Sequence, residues 1–127
     1  DDCVALPGYV PDLGGLLAAC DVFVLASRAE QSGSLAVLEA MAAGKAIVAT
    51  AVDGLVEDLT DGVDGILVPP ADDVALAGAL RTVLLDAGLR AQLGAGARRT
   101  FAARFSAAPF AAALAGAYGR HGIAGAR

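Results

Sequence analysis

Three short runs with no polar alternation, Val22–Ala26, Ala46–Thr50 and Ile66–Val68, constrain this chain more than any other feature. A strand apolar on both faces has to be covered on both faces, which is the situation inside a parallel sheet flanked by helices. Between these runs lie segments of helical period, so strands and helices alternate on short connections. That order predicts an α/β fold with a Rossmann-like parallel sheet, flanking helices and right-handed crossovers. Val22–Ala26 is expected to be a central strand.

A first strand is expected at Cys3–Leu6, stopped by Pro7 and Gly8. Leu13, Leu16, Leu17 and Cys20 then recur at helical spacing behind Asp12, a predicted N-cap, and Asp21 ends that helix. Leu35, Leu38, Met41 and Ala42 mark a helix over Ser34–Ala43, closed by Gly44. A short helix is expected over Val56–Leu59, then a turn over Asp61–Gly65, with Pro69 and Pro70 ending the last strand. The β-α-β-α-β-α-β alternation thus occupies residues 3–70. A helical tail over residues 71–118 follows, with helices beginning at Asp72–Asp73, running from Leu89 to Arg104, and running from Ser106 to Tyr118. Gly119–Arg127 is expected to fray. Neither a repeat nor a linker marks a second domain.

Composition removes several classes of function. Fourteen acidic residues against nine basic ones give a net charge of −5, which opposes a nucleic-acid surface. The high hydropathy owes much to 31 alanines, and no stretch free of charge and proline approaches the ~18 apolar residues of a spanning helix. A cytoplasmic protein is expected. Cys3 and Cys20 are read as buried small apolar side chains, without disulfide or metal roles. His121 is the single histidine, so neither a Ser-His-Asp triad nor a His-based metal cluster is assembled, and no P-loop or Gly-x-Gly-x-x-Gly fingerprint follows a strand.

Ligands of open parallel sheets bind beyond the carboxyl ends of the strands. The loop after Val22–Ala26 reads Ser27-Arg28-Ala29-Glu30-Gln31-Ser32-Gly33-Ser34, and it enters a helix whose first amides are donors at the positive end of a dipole. A phosphate is stabilised in such a place without any side chain. Glu39 lies just over one turn into the same helix among Ala, Leu, Val and Met. Its carboxylate either reaches solvent, where it favours the helix N-terminus, or accepts the two adjacent hydroxyls of a ribose. Arg28 reads as a solvated charge.

The run Val22-Phe23-Val24-Leu25-Ala26-Ser27, then Glu30, then LAVLEAMAAG over Leu35–Gly44, then Ile47-Val48-Ala49-Thr50, resembles the C-terminal donor-binding domain of GT-B glycosyltransferases. The resemblance is to the retaining glycosyl transferases group 1 set, also called family 4. Pro7-Gly8-Tyr9-Val10 with Asp12-Leu13, and Asp61-Gly62 with Gly65-Ile66-Leu67-Val68-Pro69-Pro70, extend it over about Val4 to Tyr118. It implies that the whole chain, residues 1–127, is a partial C-terminal nucleotide-sugar-binding domain. Its function would be to bind a nucleotide-diphosphate sugar, such as a UDP- or GDP-sugar, for transfer to an acceptor.

The family's second glutamate, which matches Glu39, binds the ribose hydroxyls. Its first, which matches Glu30, lies against the donor sugar and is the candidate catalytic residue. Gln31, Ser32, Gly33, Ser34 and Leu35 match the loop that contacts sugar and phosphate. No metal is obligatory and no cofactor is implied. Eight residues separate Glu30 from Glu39 where the family has seven, so either Gln31 takes the first position or the loop carries an extra residue. With Ser34 as the insertion, Gly33 keeps the place of the family's glycine. Ala46 stands where Pro is common and Asp53 where Gly is common, while Glu57 matches a recurrent glutamate and reads as a helix-end charge.

Such a domain ordinarily begins with a strand, a Gly-rich turn and basic residues upstream of Cys3. It works with an N-terminal acceptor-binding domain, expected here in cis or in trans, through which any membrane association would come. The chain alone is therefore expected to be inactive. The alternative reading is a non-catalytic nucleotide-sugar-binding or interaction module, and a truncated product without activity is a third.

Overall fold

A computed structural model of the chain describes residues 3–30 and 32–120. Helix α1 (Leu13–Ala19) leads to β1 (Val22–Leu25), α2 (Leu35–Ala42), β2 (Ala46–Thr50), α3 (Leu55–Asp58) and β3 (Ile66–Val68). Then come α4 (Asp73–Leu85), α5 (Ala87–Thr100), a π-helical turn over Phe101–Phe105, and α6 (Ala107–Arg120). The three strands pair in the order β1-β2-β3, both pairs parallel, with Val22 opposite Ala46 and Val48 opposite Ile66. The α/β, parallel, helix-flanked fold expected from the sequence is the one observed.

β2 is the central strand, and all five of its residues are buried. Ile47 and Ala49 pack with Val37, Ala40 and Met41 of α2, with Leu55 of α3 and with Leu17 of α1. Ala46 and Val48 pack with Val83 of α4 and Leu93 of α5. A strand that is apolar on both sides thus gathers one helical layer on each.

Side-chain caps begin three of the helices. Asp12, Asp72 and Asp86 accept from the N–H groups of Gly15, Ala75 and Leu89 at 2.9, 2.8 and 2.8 Å, satisfying amides that have no partner inside the helix. Gly44, with φ +67, ends α2 as the sequence predicts. Close approach fixes α5, because a Cβ at Gly94 would lie 2.2 Å from the Gly44 carbonyl oxygen and one at Gly96 would lie 2.0 Å from that of Val63.

Several expectations are corrected. Residues 3–6 form no strand: they find no pairing partner among the described residues, and Val4 and Leu6 are 72% and 92% exposed. Among the described residues β1 lies at the edge of the sheet rather than at its centre, where it was expected, and its burial is partial, with Val24 40% exposed. Cys3 is exposed and Cys20 half-buried, both as free thiols, because neither side chain faces one of the two cores. The helix expected from Leu89 to Arg104 begins two residues earlier and changes pitch at Phe101. Gly119 and Arg120 continue α6 rather than fraying, and the remainder of the expected tail, with His121, lies outside the described residues. Among the described residues no helix is long and apolar enough to cross a membrane.

Candidate functional site

The connection from β1 to α2 lies at the carboxyl end of the sheet, and neighbouring elements hold it at three points. At its start, Thr50 Oγ1, on the last residue of β2, donates to the Ser27 carbonyl oxygen at 2.6 Å. Midway, the Gly54 N–H donates to the Glu30 carbonyl oxygen at 3.3 Å. Near its end, the carboxylate of Asp58 receives Ser32 Oγ at 2.9 Å and the Gly33 N–H at 2.7 Å. Gly33 has φ +77, a left-handed backbone in which glycine carries no Cβ penalty.

Ser34 is the N-cap of α2, and its carbonyl oxygen takes the first intrahelical bond, from Leu38 N–H at 3.0 Å. No side-chain bond from Ser34 caps the helix. The amides of Leu35, Ala36 and Val37 therefore precede the helical ladder and lie at the positive end of the dipole. Leu35, 70% exposed, opens that end to solvent.

Glu39 is half-buried, one turn further along. With Leu35, Leu38 and Ala42, at helical spacing on one face of α2, it lines a cavity of about 260 Å³ whose other wall is Phe101 and Phe105 of the π-helical turn. Among the described residues Glu39 is the only charged side chain of that lining. Glu30 is not part of it. This carboxylate is half-buried and accepts from Ser27 Oγ at 3.4 Å within its own loop. Ser32 and Gly33 are exposed, and Gln31 lies outside the described residues.

A second cavity, of about 280 Å³, opens at the ends of β1 and β2 and the start of α4. Arg28, Thr50, Ala71 and Asp72 are among its walls. Arg28 is exposed there, as expected of a solvated charge. Asp53 adopts φ +28, which gives a physical reason for glycine being common at that position of the resembled pattern. The Glu57 side chain is exposed at the end of α3, in keeping with its reading as a helix-end charge.

Asp58 is the residue that reading the sequence missed. It is 1% exposed, and its acceptor oxygens serve the loop from 25 and 26 positions away. A signal was present: Leu55, Asp58 and Leu59 fall at i, i+3 and i+4, so the carboxylate shares a helix face with two core residues. A charge on such a face needs donors, and the nearest supply is the polar loop.

Solved structures set the class of this arrangement. The chain superposes on the HepE protein of Anabaena in complex with UDP with a TM-score of 0.83 and 29% identity, covering 90% of this chain and 31% of that one. It also superposes on the C-terminal domain of a glycosyl transferase group 1 family protein of Francisella tularensis, with a TM-score of 0.69 and 28% identity over 79% of this chain and 52% of that one. The fold is the α/β, Rossmann-like one of GT-B glycosyltransferases. The family pattern of the glycosyl transferases group 1 matches residues 1–86, and the chain belongs to that family. A D-inositol 3-phosphate glycosyltransferase of Stackebrandtia nassauensis is 43% identical over 108 residues, 85% of this chain and 24% of the relative. The chain thus spans about a quarter of the length of that curated relative.

Proposed function

We propose that this chain is the donor-binding part of a retaining glycosyltransferase that takes a sugar from a nucleotide diphosphate. In this reading Glu39 accepts the two ribose hydroxyls. The loop from Gln31 to Leu35 faces the diphosphate and sugar, and Glu30 hydrogen-bonds the donor sugar beside the reacting carbon. The departing diphosphate is stabilised by the first amides of α2 and its dipole, without an obligatory metal. The acceptor is held by a further domain, in cis or in trans. Gly33, needing its left-handed φ, supports the loop alignment in which it holds the family's glycine position and Ser34 is the extra residue.

The observation that carries this reading is the placement of Glu39. It is a lone, half-buried carboxylate on a cavity wall one turn from a helix N-terminus, so hydroxyl acceptor and anion site stand side by side. HepE, whose structures contain UDP and UDP-glucose, is 29% identical to the chain in each comparison. The test is calorimetry of UDP and GDP, in buffer containing EDTA, with the product of the complete reading frame and its Glu39→Ala variant. Loss of a pair of charge-assisted hydrogen bonds should weaken the nucleotide by about 100-fold. Unchanged affinity removes Glu39 from the ribose, and affinity that vanishes in EDTA removes the metal-free mechanism. Glu39-dependent binding without sugar transfer would replace the enzyme by a binding module.

A further inference from the structure

We infer that Asp58 is a positioning residue for the donor loop, an assignment that rests on reading residues 30–35 as the donor-contacting segment. Its carboxylate is buried, and a buried carboxylate is tolerated where donors meet it. Both donors come from Ser32 and Gly33, immediately ahead of the N-cap of α2. Those two residues are themselves exposed, and among the described residues the Asp58 bonds are what ties them to the body of the domain. With these groups turned inward, Asp58 acts on the donor through the course of the loop, not by touching the donor.

The segment bearing Asp58 is held from behind. Arg104, on the π-helical turn, donates to the Glu57 carbonyl oxygen at 2.8 Å and to that of Asp58 at 3.2 Å, with its guanidinium 4.7 Å from the centre of the Phe105 ring. The same turn supplies Phe101 and Phe105 to the cavity beside Glu39. Asp58 therefore registers the sugar-and-phosphate loop against the wall of the ribose cavity. Removing it should loosen one half of the donor site and spare the other, since Glu39 is fixed on α2 by Val37, Ala40 and Met41 in the core.

The experiment uses the product of the complete reading frame, with Asp58→Ala and Asp58→Asn. Two probe pairs are titrated, UMP with UDP-glucose and GMP with GDP-mannose, and the pair that binds the wild type is followed. Asp58→Ala should leave the monophosphate within about twofold of wild type and weaken the nucleotide sugar about tenfold, with faster deuterium uptake in residues 27–38. In Asp58→Asn, with the amide turned so that its oxygen takes the place of the carboxylate oxygen bonded to Gly33, Oδ1 accepts from the Gly33 N–H and Nδ2 donates to Ser32 Oγ, so sugar affinity should return to within about threefold. Wild-type sugar affinity and exchange in Asp58→Ala overturn the inference. So does an equal loss of both probes that Asn fails to rescue, which would mark a general structural role.

Should Asp58→Ala fail to fold, Ser32→Ala removes one bond from an exposed position. It should cost about threefold in nucleotide-sugar affinity and speed exchange, and wild-type behaviour overturns the inference. The monophosphate keeps the two failures apart. If Glu39→Ala leaves it bound as in wild type, or if neither pair binds the wild type, the donor-binding reading falls and the positioning role falls with it. If Glu39→Ala abolishes binding while every Asp58 variant matches wild type, only the positioning role falls.

Discussion

Asp58 and Asp64 lie six residues apart, are 1% and 2% exposed, and each takes one backbone N–H and one hydroxyl. Their partners differ. Asp64 joins the Thr60 N–H, at 2.6 Å, to Thr100 Oγ1 on α5, at 2.8 Å, and so fastens the turn before β3 to the scaffold. Asp58 reaches an exposed loop next to the candidate donor site. Equal burial and equal bonding therefore serve stability in one place and the geometry of a site in the other. What separates the two is how firmly the donors are held by everything else around them.

The contrast can be pressed from both sides. The largest effect is expected at Gly96→Ala, whose Cβ would meet the Val63 carbonyl oxygen in the turn that Asp64 holds. Backbone would have to shift, at a cost of about 3 kcal/mol, read by urea unfolding. A loss below about 1 kcal/mol would show that turn and helix separate easily. Asp64→Ala should cost about 2 kcal/mol while leaving nucleotide affinity at the wild-type value, because its partners sit away from the loop. A parallel fall in affinity would erase the distinction between the two aspartates.

Asp58→Ala should cost about 1 kcal/mol, since water can replace the carboxylate at exposed Ser32 and Gly33, and its main effect should be on nucleotide-sugar binding. The smallest effect is expected at Ala71, which adopts φ +58 beside the Arg28 cavity. Ala71→Gly relieves left-handed strain but loosens the unfolded chain, for a net gain of about 0.5 kcal/mol in thermal unfolding. A lower Tm would mean that Ala71 carries no strain worth relieving.

Much of the fold was legible along the chain, and particular residues show why. The run Ala46–Thr50 reads as a strand covered on both faces because its apolar side chains, Ile47 and Val48 above all, fall on both of them, and it is the central strand. Asp12 and Gly44 act over three or four residues, so capping and chain reversal were visible locally. Val22–Ala26 has the same local character as β2 but lies at the edge, since strand order depends on which neighbours are present. Residues 3–6 were strand-like in composition and find nothing to pair with among the described residues. In the site, Glu39 and the loop before it stood out by residue type and by their place at a helix N-terminus, whereas Glu30 was singled out by the family resemblance alone. Asp58 drew no notice beside Glu57, because its bonding partners lie 25 and 26 residues away.

The sequence by itself determined the alternation of strands and helices, their caps, the polar loop at the carboxyl end of the sheet, and membership of the glycosyl transferases group 1 family. These follow from periodicity, turn chemistry and short motifs, all of which act over a few residues. Only the tertiary structure decided that β1 lies at the edge of the sheet among the described residues, that Phe101 and Phe105 form the wall facing Glu39, and that Asp58 rather than Glu57 turns inward to the loop. Those outcomes depend on contacts between distant segments, which local propensity does not encode and packing alone selects.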